Sequence, residues 1–348
     1  MKTTILLNRA EPGMLLFCPI VNEMGKVILA EGTVLTEIMI ARLQTMGVSS
    51  VEIQLNPDQE SDTDKERFDN CYHETLARIA DFFETIRYFK EVPLNQMQEL
   101  VDKSLDPMLE IPGMVHYLSN VQQADDYTFH HSLSVAAIAG ILGKWSGQRG
   151  EKLKNIILAG LLHDIGKLNI STAILNKPSR LTADEQDMMR RHSTEGYRML
   201  AAAPNVSQDV LLGVLQHHER RDGSGYPMGR GEDRIHYFAK IIAIADIYTA
   251  MTATRVYRDK QTPFDVVREI NRDMYLKLDP ELCLVFLNNI RDSLVGNVVM
   301  LNDGRKARVI SAGSFSSEAP VVITEDDVTI DLDGDLDLRI VDCFSVVD

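Results

Sequence analysis

The pattern of apolar and polar positions divides the chain into segments that favour different secondary structures. Near the N-terminus, short apolar runs separated by turn residues predict strands at 15–21, 26–30 and 48–55. Apolar residues from Ile38 to Met46 recur at helical spacing and are followed by Gly47, so a helix is expected between the last two strands. We therefore predict a small α/β module over residues 1–60, with a regulatory role.

A longer helical pattern follows this module. Apolar residues recur every three or four positions from Phe68 to Ile86, and Pro93 separates this helix from a second one over 94–109. We assign residues 61–122 to connecting helices. Their apolar faces pack within the chain or form the seam of a homodimer, and the pattern leaves both interpretations open.

The remainder of the chain has a helical pattern at first and a strand pattern near its C-terminus. Residues 123–294 are rich in helical periodicity, and residues 295–348 have short apolar runs separated by turn signals at 302–304 and 333–334. We predict a mainly α protein whose large helical domain is followed by a small C-terminal β module.

Composition and charge narrow the class of protein. The 348 residues contain 36 Lys and Arg against 51 Asp and Glu, a net charge of −15, which argues against a protein that coats DNA or RNA. No apolar run approaches the roughly 20 residues of a membrane span. The first ten residues lack the apolar region of a signal peptide, so we expect a cytoplasmic protein whose four cysteines are free thiols.

The candidate chemistry lies in histidines and aspartates that interrupt apolar stretches of the helical domain. They are His130 and His131, His163 and Asp164, His192, His217 and His218, and Asp246. Burying such groups is costly unless they are paired or bind metal. Imidazole and carboxylate without thiolate suit iron, manganese, zinc or nickel. Because the two oxygens of Asp164 could bridge two ions, the His163–Asp164 pair indicates a binuclear site, which suits phosphoryl chemistry.

Two motifs make a family resemblance specific. The run His163-Asp164-Ile165-Gly166-Lys167 and the longer run from His217 to Pro227 closely resemble the HD-GYP family, a branch of the HD phosphohydrolases, over residues 127–257. This resemblance implies an all-helical HD-type bundle. It also implies hydrolysis of cyclic di-GMP to linear pGpG or GMP in bacterial second-messenger signalling.

The resemblance also implies site residues. The metal ligands fall on His131, His163, Asp164, His192, His217, His218 and Asp246. One ion would take His131, His163 and Asp246, the other His192, His217 and His218, with Asp164 shared. The ions are expected to be iron or manganese, and nickel, zinc and magnesium are further candidates. Catalytic roles are implied for Asp164 and Lys167, and substrate contacts for Lys167, Arg255, Arg258, Gly225, Tyr226 and Pro227. The loop that contains Gly225 is also a candidate surface for a GGDEF-domain protein.

The sequence departs from the family pattern at three positions. Tyr127 stands where some relatives carry a glutamate that can hold a third metal, so two ions are expected here. Thr249 replaces an aspartate of many relatives, which puts rate and substrate preference in doubt. Arg221 replaces an aromatic residue, and the sequence offers no consequence for this change.

Three other functions stay open on the sequence alone. The same chemistry could act on hybrid cyclic GMP–AMP. The domain could instead be a cyclic-dinucleotide sensor or interaction module with little turnover, although its intact ligand set argues against that. An ordinary HD nucleotidase acting on mononucleotides is the third, and the long second motif argues against it.

Overall fold

The structure is a computed structural model that divides into two compact units, Met1–Thr63 and Asp64–Val346. It describes residues 2–344 apart from the following positions: 8–9, 11–13, 22–26, 30–31, 34, 36–38, 41, 44–45, 47, 49, 55–61, 122–126, 253–260, 313–318 and 335–336. The four cysteines are free thiols, as expected. Among the described residues, no helix combines the length and apolar character needed to cross a membrane.

The N-terminal unit is built on two small antiparallel sheets. The first has the order β1 (Lys2–Leu6), β5 (Ser50–Gln54), β2 (Leu15–Leu16), and the second pairs β3 (Ile20–Val21) with β4 (Val27–Leu29). Leu16, Val51 and Ile53 are buried in its apolar core. Strand β1 was not predicted. Of the predicted helix, the described residues 39–40 and 42–43 are helical, and the described Met46 lies in a turn.

The second unit begins with the connecting helices. Helix α1 (Asp62–Phe89) ends before Pro93, as predicted. The single helix predicted over 94–109 is interrupted: α2 (Leu94–Leu100) is followed by a π-helical turn (Val101–Leu105) and then by α3 (Asp106–Met108). In this turn the N–H of Asp106 bonds to the carbonyl of Val101, immediately before Pro107, which has no N–H to continue an α-helix.

The helical domain surrounds a continuous apolar core. Its helices are α4 (Met114–Asn120), α5 (Tyr127–Trp145), α6 (Gly150–Leu162), α7 (Thr172–Leu175), α8 (Ala183–Arg190), α9 (His192–Ala201), α10 (Gln208–Gln216), α11 (Tyr237–Thr252), α12 (Pro263–Asp273) and α13 (Pro280–Leu294). Helices α5 and α11 are apolar on nearly every side because both lie inside the domain. A Cβ on Gly160 would lie 3.0 Å from the Cα of Ala136, so this glycine allows α5 and α6 to approach closely.

The C-terminal segment forms a five-stranded antiparallel sheet with the order β10 (Ile340–Phe344), β6 (Val298–Leu301), β7 (Lys306–Ser311), β8 (Val321–Thr324), β9 (Thr329–Asp331). The short apolar runs at 298–301, 307–310 and 321–324 predict strands that correspond to β6, β7 and β8. The run at 338–341 predicts a strand that begins two residues later, as β10, and the short β9 was not predicted. The mainly α fold class is confirmed. The division of the chain at residues 60, 122 and 294 stays a prediction, and Asp64–Val346 forms one compact unit.

Candidate metal centre

The histidines of the candidate site lie at or near helix ends. His163 and His217 directly follow the last residues of α6 and α10, and His192 is the first residue of α9. His131 lies in the second turn of α5, and Asp246 lies in the second half of α11. Helix packing therefore brings together side chains that are up to 115 positions apart in the sequence.

Asp164 is at the centre of the cluster. Its Oδ2 lies 3.2 Å from Nε2 of His163 and 3.7 Å from Nε2 of His131, whereas its Oδ1 lies 3.3 Å from Nε2 of His192. Asp246 joins the first side, with Oδ1 3.1 Å from Nε2 of His131. The two carboxylate oxygens of Asp164 thus face two different groups of imidazoles.

The second group consists of His192, His217 and His218. Together with Asp164 they offer ligand atoms that all lie within 4.8 Å of one another. The Nε2 atoms of His192 and His217 are only 3.2 Å apart. Nδ1 of each of these two rings donates to a backbone carbonyl three residues earlier, so each Nε2 is a lone-pair acceptor in the neutral ring. Two facing acceptors do not bond each other, but both can bind a cation.

These residues fit a pair of divalent metal ions. His163 also donates from Nδ1 to its own helix, to the carbonyl of Gly160, which is the usual way in which proteins orient a metal-binding imidazole. Among the described residues, the buried Nε2 of His163 and Oδ1 of Asp164 have no hydrogen-bond partner. Nitrogen and carboxylate donors without thiolate suit first-row transition metals. The ligand assignments themselves stay predictions.

The protonation states favour cation binding. Burial lowers the pKa of His217 well below its usual value and lowers the pKa of His218 to about 3, so both rings are neutral near pH 7. Burial would raise the pKa of Asp164, but His163 and Lys167 outweigh it and hold that pKa well below its usual value. Asp246 has a lowered pKa because its pairing with His131 outweighs its burial. The cluster therefore combines the neutral imidazoles of His217 and His218 with ionised carboxylates, whereas the pKa of His163 is raised because Asp164 outweighs its burial.

Lys167 faces the cluster from the 3₁₀ turn Ile165–Asn169. Its ammonium group forms an ion pair with Oδ2 of Asp164 and is partly exposed. The predicted catalytic lysine thus lies where a phosphate group near Asp164 could reach it.

The loop over residues 223–231 borders the second group. The ring of Tyr226 lies 4.6 Å from the ring of His218, and the guanidinium of Arg190 lies over Tyr226, 5.5 Å from its ring centre. A Cβ on Gly225 would overlap backbone atoms of His218 and Arg220, so only glycine fits there. Pro227 follows Tyr226 in the same loop and is half-buried.

The sequence did not reveal how this loop is held. Glu219 is buried, and its two carboxylate oxygens accept the N–H groups of Met228 and Arg230, each at 2.8 Å. A glutamate directly after the two histidines was a visible signal, because a buried carboxylate requires donors. Arg221 also has a structural role here, since its Nε lies 2.6 Å from the carboxylate of Glu232.

Not every predicted site residue can be located. Arg255 and Arg258 lie outside the described residues, as does the side chain of Tyr127. Thr249 is buried in α11, and its hydroxyl has no hydrogen-bond partner among the described residues. His130, which directly precedes His131, faces away from the cluster towards Tyr72.

Comparison with known proteins agrees with this geometry. Residues 114–282 match the family described as the HD domain. This match covers just under half of the chain. A cyclic di-GMP phosphodiesterase of Pseudomonas aeruginosa is 32% identical over 246 residues, which are 71% of this chain and 59% of that protein. A cyclic di-GMP phosphodiesterase response regulator of Xanthomonas campestris is 40% identical over 170 residues, 49% of this chain and 43% of that protein. The resemblance to the HD-GYP family is thereby confirmed.

Two further comparisons bear on substrate and fold. A 3′3′-cGAMP-specific phosphodiesterase of Vibrio cholerae is 36% identical over 182 residues, 52% of this chain and 42% of that protein. The solved structure of an HDG"Y"P protein from Bdellovibrio bacteriovorus matches with a TM-score of 0.55 and 16% identity, over 83% of this chain and 99% of that one. That match supports the fold alone. The chain spans between about two fifths and three fifths of the length of these curated relatives.

Proposed function

We propose that the protein is a metal-dependent phosphodiesterase that hydrolyses cyclic di-GMP to linear pGpG or GMP. The observation that carries this proposal is the position of Asp164 between two groups of imidazoles, of which that of His218 is partly exposed and the others are buried. Such a carboxylate suits two ions at the roughly 3.5–4 Å separation that is typical of binuclear phosphoryl-transfer sites. Relatives named as cyclic di-GMP phosphodiesterases supply the substrate class.

The ligands proposed for one ion are His131, His163 and Asp246, and those for the other are His192, His217 and His218, with Asp164 between them. Two bound divalent ions would supply water activation and neutralisation of phosphate charge. The donors are nitrogen-rich and lack thiolate, which suits iron, manganese, zinc or nickel, and of these we propose iron or manganese because of the resemblance to the HD-GYP family.

The chain's own residues would bind and orient the phosphodiester. The ammonium of Lys167, paired with Asp164, would attract a non-bridging phosphate oxygen and stabilise charge that develops there. Its positive charge also keeps Asp164 ionised. Tyr226 covers His218 on the loop side and limits the access of bulk water. Arg190, stacked over Tyr226, presents a cation to the second phosphate of a cyclic dinucleotide. Arg255 and Arg258 are proposed as further substrate contacts.

Hybrid cyclic GMP–AMP is the second candidate substrate. The similarity to a cGAMP-specific phosphodiesterase of Vibrio cholerae favours testing it. A GGDEF-domain partner at the loop over residues 223–231, and a homodimer, are further proposals. A pull-down with a purified GGDEF domain and a mass measurement in solution would test them.

The test is hydrolysis by purified protein loaded anaerobically with Fe²⁺ or Mn²⁺. Cyclic di-GMP, hybrid cyclic GMP–AMP and a mononucleotide are supplied separately, and products are separated by chromatography. We expect pGpG or GMP from cyclic di-GMP, and none from Asp164→Ala. Asp209→Ala is the matched control, because Asp209 also pairs with a histidine of this domain, His236, at 3.2 Å. Metal binding without cleavage of any cyclic dinucleotide would contradict the proposal and favour a sensor.

A further inference from the structure

Tyr72 lies in helix α1 and contacts α5, the helix that carries His131. Its hydroxyl lies 2.9 Å from Nδ1 of His130, and the two side chains are 1% and 8% exposed. The rings of Tyr72 and His130 are stacked, with their centres 5.9 Å apart and their planes at 28°. Breaking a hydrogen bond in such a buried environment is costly, because the donor and the acceptor cannot form replacement hydrogen bonds with water.

The same hydroxyl makes a second contact with α5. Burial raises the pKa of Tyr72 to about 12, and a hydrogen bond with Ser134 acts in the opposite direction. The hydroxyl therefore keeps its proton near pH 7, and the tautomer of His130 decides which of the two groups donates in the hydrogen bond between them. His130 and Ser134 are four positions apart on α5, so both face Tyr72 on either side of His131 in the sequence.

An aromatic contact supports the same turn. The ring of Phe83 in α1 lies 5.5 Å from the ring of Phe129, edge to face, and Phe83 is 1% exposed. Phe129, His130 and Ser134, which lie before and after His131 on α5, thus contact α1, whereas His131 itself faces Asp246 and Asp164.

We propose that Tyr72 is a positioning residue that fixes the His131 turn of α5 through His130. This inference rests on the proposed function, because it requires that His131 binds a metal ion. His131 lies near two carboxylates at 3.1 and 3.7 Å, and metal–ligand distances tolerate only about 0.2 Å of error. A small displacement of this turn would therefore weaken the binding of one ion and leave the binding of the other unchanged.

The test measures Mn²⁺ binding to the full-length protein by calorimetry, with electron paramagnetic resonance of free Mn²⁺ as a second readout. In Tyr72→Phe we expect one of two dissociation constants to rise about 10-fold, as for other residues that orient metal ligands, while the second stays unchanged. His130→Leu should have the same effect. His130→Asn retains a side-chain group near the position of Nδ1 that can donate or accept a hydrogen bond, and it should restore binding.

Tyr237→Phe is the matched control. It removes a half-buried hydroxyl that accepts from Gln148 at 3.2 Å, away from the cluster. The thermal midpoint of each metal-free variant separates general destabilisation from the effect on His131. Equal Mn²⁺ affinities of the wild type and Tyr72→Phe would overturn the inference. An equal rise of both dissociation constants in Tyr72→Phe would overturn it as well. A wild type that binds no Mn²⁺ would instead overturn the proposed function, and the inference with it.

Discussion

Gly166 is the position where a single methyl group should disable the site without removing a ligand. A Cβ at this residue would overlap the carbonyl oxygen of His192 and would lie 2.8 Å from the carbonyl carbon of that residue and 2.5 Å from the backbone N of Gly196. All three are backbone atoms, so no flexible side chain can move aside. Gly166→Ala must therefore separate the Asp164 turn from the start of α9.

The size of this movement sets the expected effect. Non-bonded carbon atoms pack at about 3.5–4.0 Å, so the two backbones must move apart by at least about 1 Å. Such overpacking costs about 1–3 kcal/mol of stability. His192 Nε2 lies 3.3 Å from Asp164 Oδ1, and a shift of this size exceeds the roughly 0.2 Å tolerance of metal–ligand distances. We expect at least 10-fold weaker binding of one ion and a similar loss of kcat.

Calorimetry with Mn²⁺ and single-turnover hydrolysis of cyclic di-GMP would measure both effects. The control is Gly143→Ala, where a Cβ would lie 3.1 Å from the flexible end of the Leu153 side chain, so metal binding should be unchanged. If Gly166→Ala bound two Mn²⁺ ions with wild-type affinity and kept its kcat, the close approach of these backbones would not be what holds His192 in place.

Three further predictions follow from the charges and hydrogen bonds of the site. Lys167→Met should lower kcat by about 100-fold and leave the metal content unchanged, as measured by steady-state kinetics and elemental analysis; an equal loss of metal would refute its role in stabilising phosphate charge. Glu219→Gln should raise KM and cost about 1–3 kcal/mol in urea unfolding, because one of two backbone N–H groups loses its acceptor. The metal-free protein should lose stability below about pH 6.5, the ordinary histidine pKa. Burial lowers the pKa of His217, and that of His218 to about 3, so the unfolded chain takes up protons that the folded one does not. This loss of stability approaches about 1.4 kcal/mol per pH unit for each of these two histidines. His163 offsets part of the loss, because burial lowers its pKa but Asp164 raises it by more, so its folded form takes up a proton more readily than the unfolded chain. Urea midpoints that stay constant between pH 7.5 and 5.5 would contradict it.

The side chains of the candidate site could be predicted from the sequence, whereas the residues that hold them in place could not. Histidines inside apolar runs, and the run His163–Lys167, identified side chains that the structure brings together. The roles of Gly166 and Glu219 depend on contacts with residues that are brought near only by folding, and no spacing rule reveals such contacts. Tyr72 was invisible for the same reason, since its partner His130 is 58 positions away.

Elements were predicted where periodicity is long or turns are marked. The periodic pattern from Phe68 to Ile86 predicted a helix that extends further in the structure, over Asp62–Phe89, and the turn at 302–304 predicted the β6–β7 hairpin. The π turn at Val101–Leu105 was missed because its apolar spacing resembles that of an α-helix. Strand β9 was missed because it has only three residues, and β1 because its first three residues, Lys2 to Thr4, are polar. Both strands are stabilised by pairing with other strands.

The central claim is that Asp164 joins two metal ions. Its most direct test is a crystal structure of the Mn²⁺-loaded protein with anomalous scattering measured at the manganese edge. We predict two peaks about 3.5–4 Å apart, one on each carboxylate oxygen of Asp164, as in other binuclear sites. A single peak, or two peaks that do not share Asp164, would contradict the account.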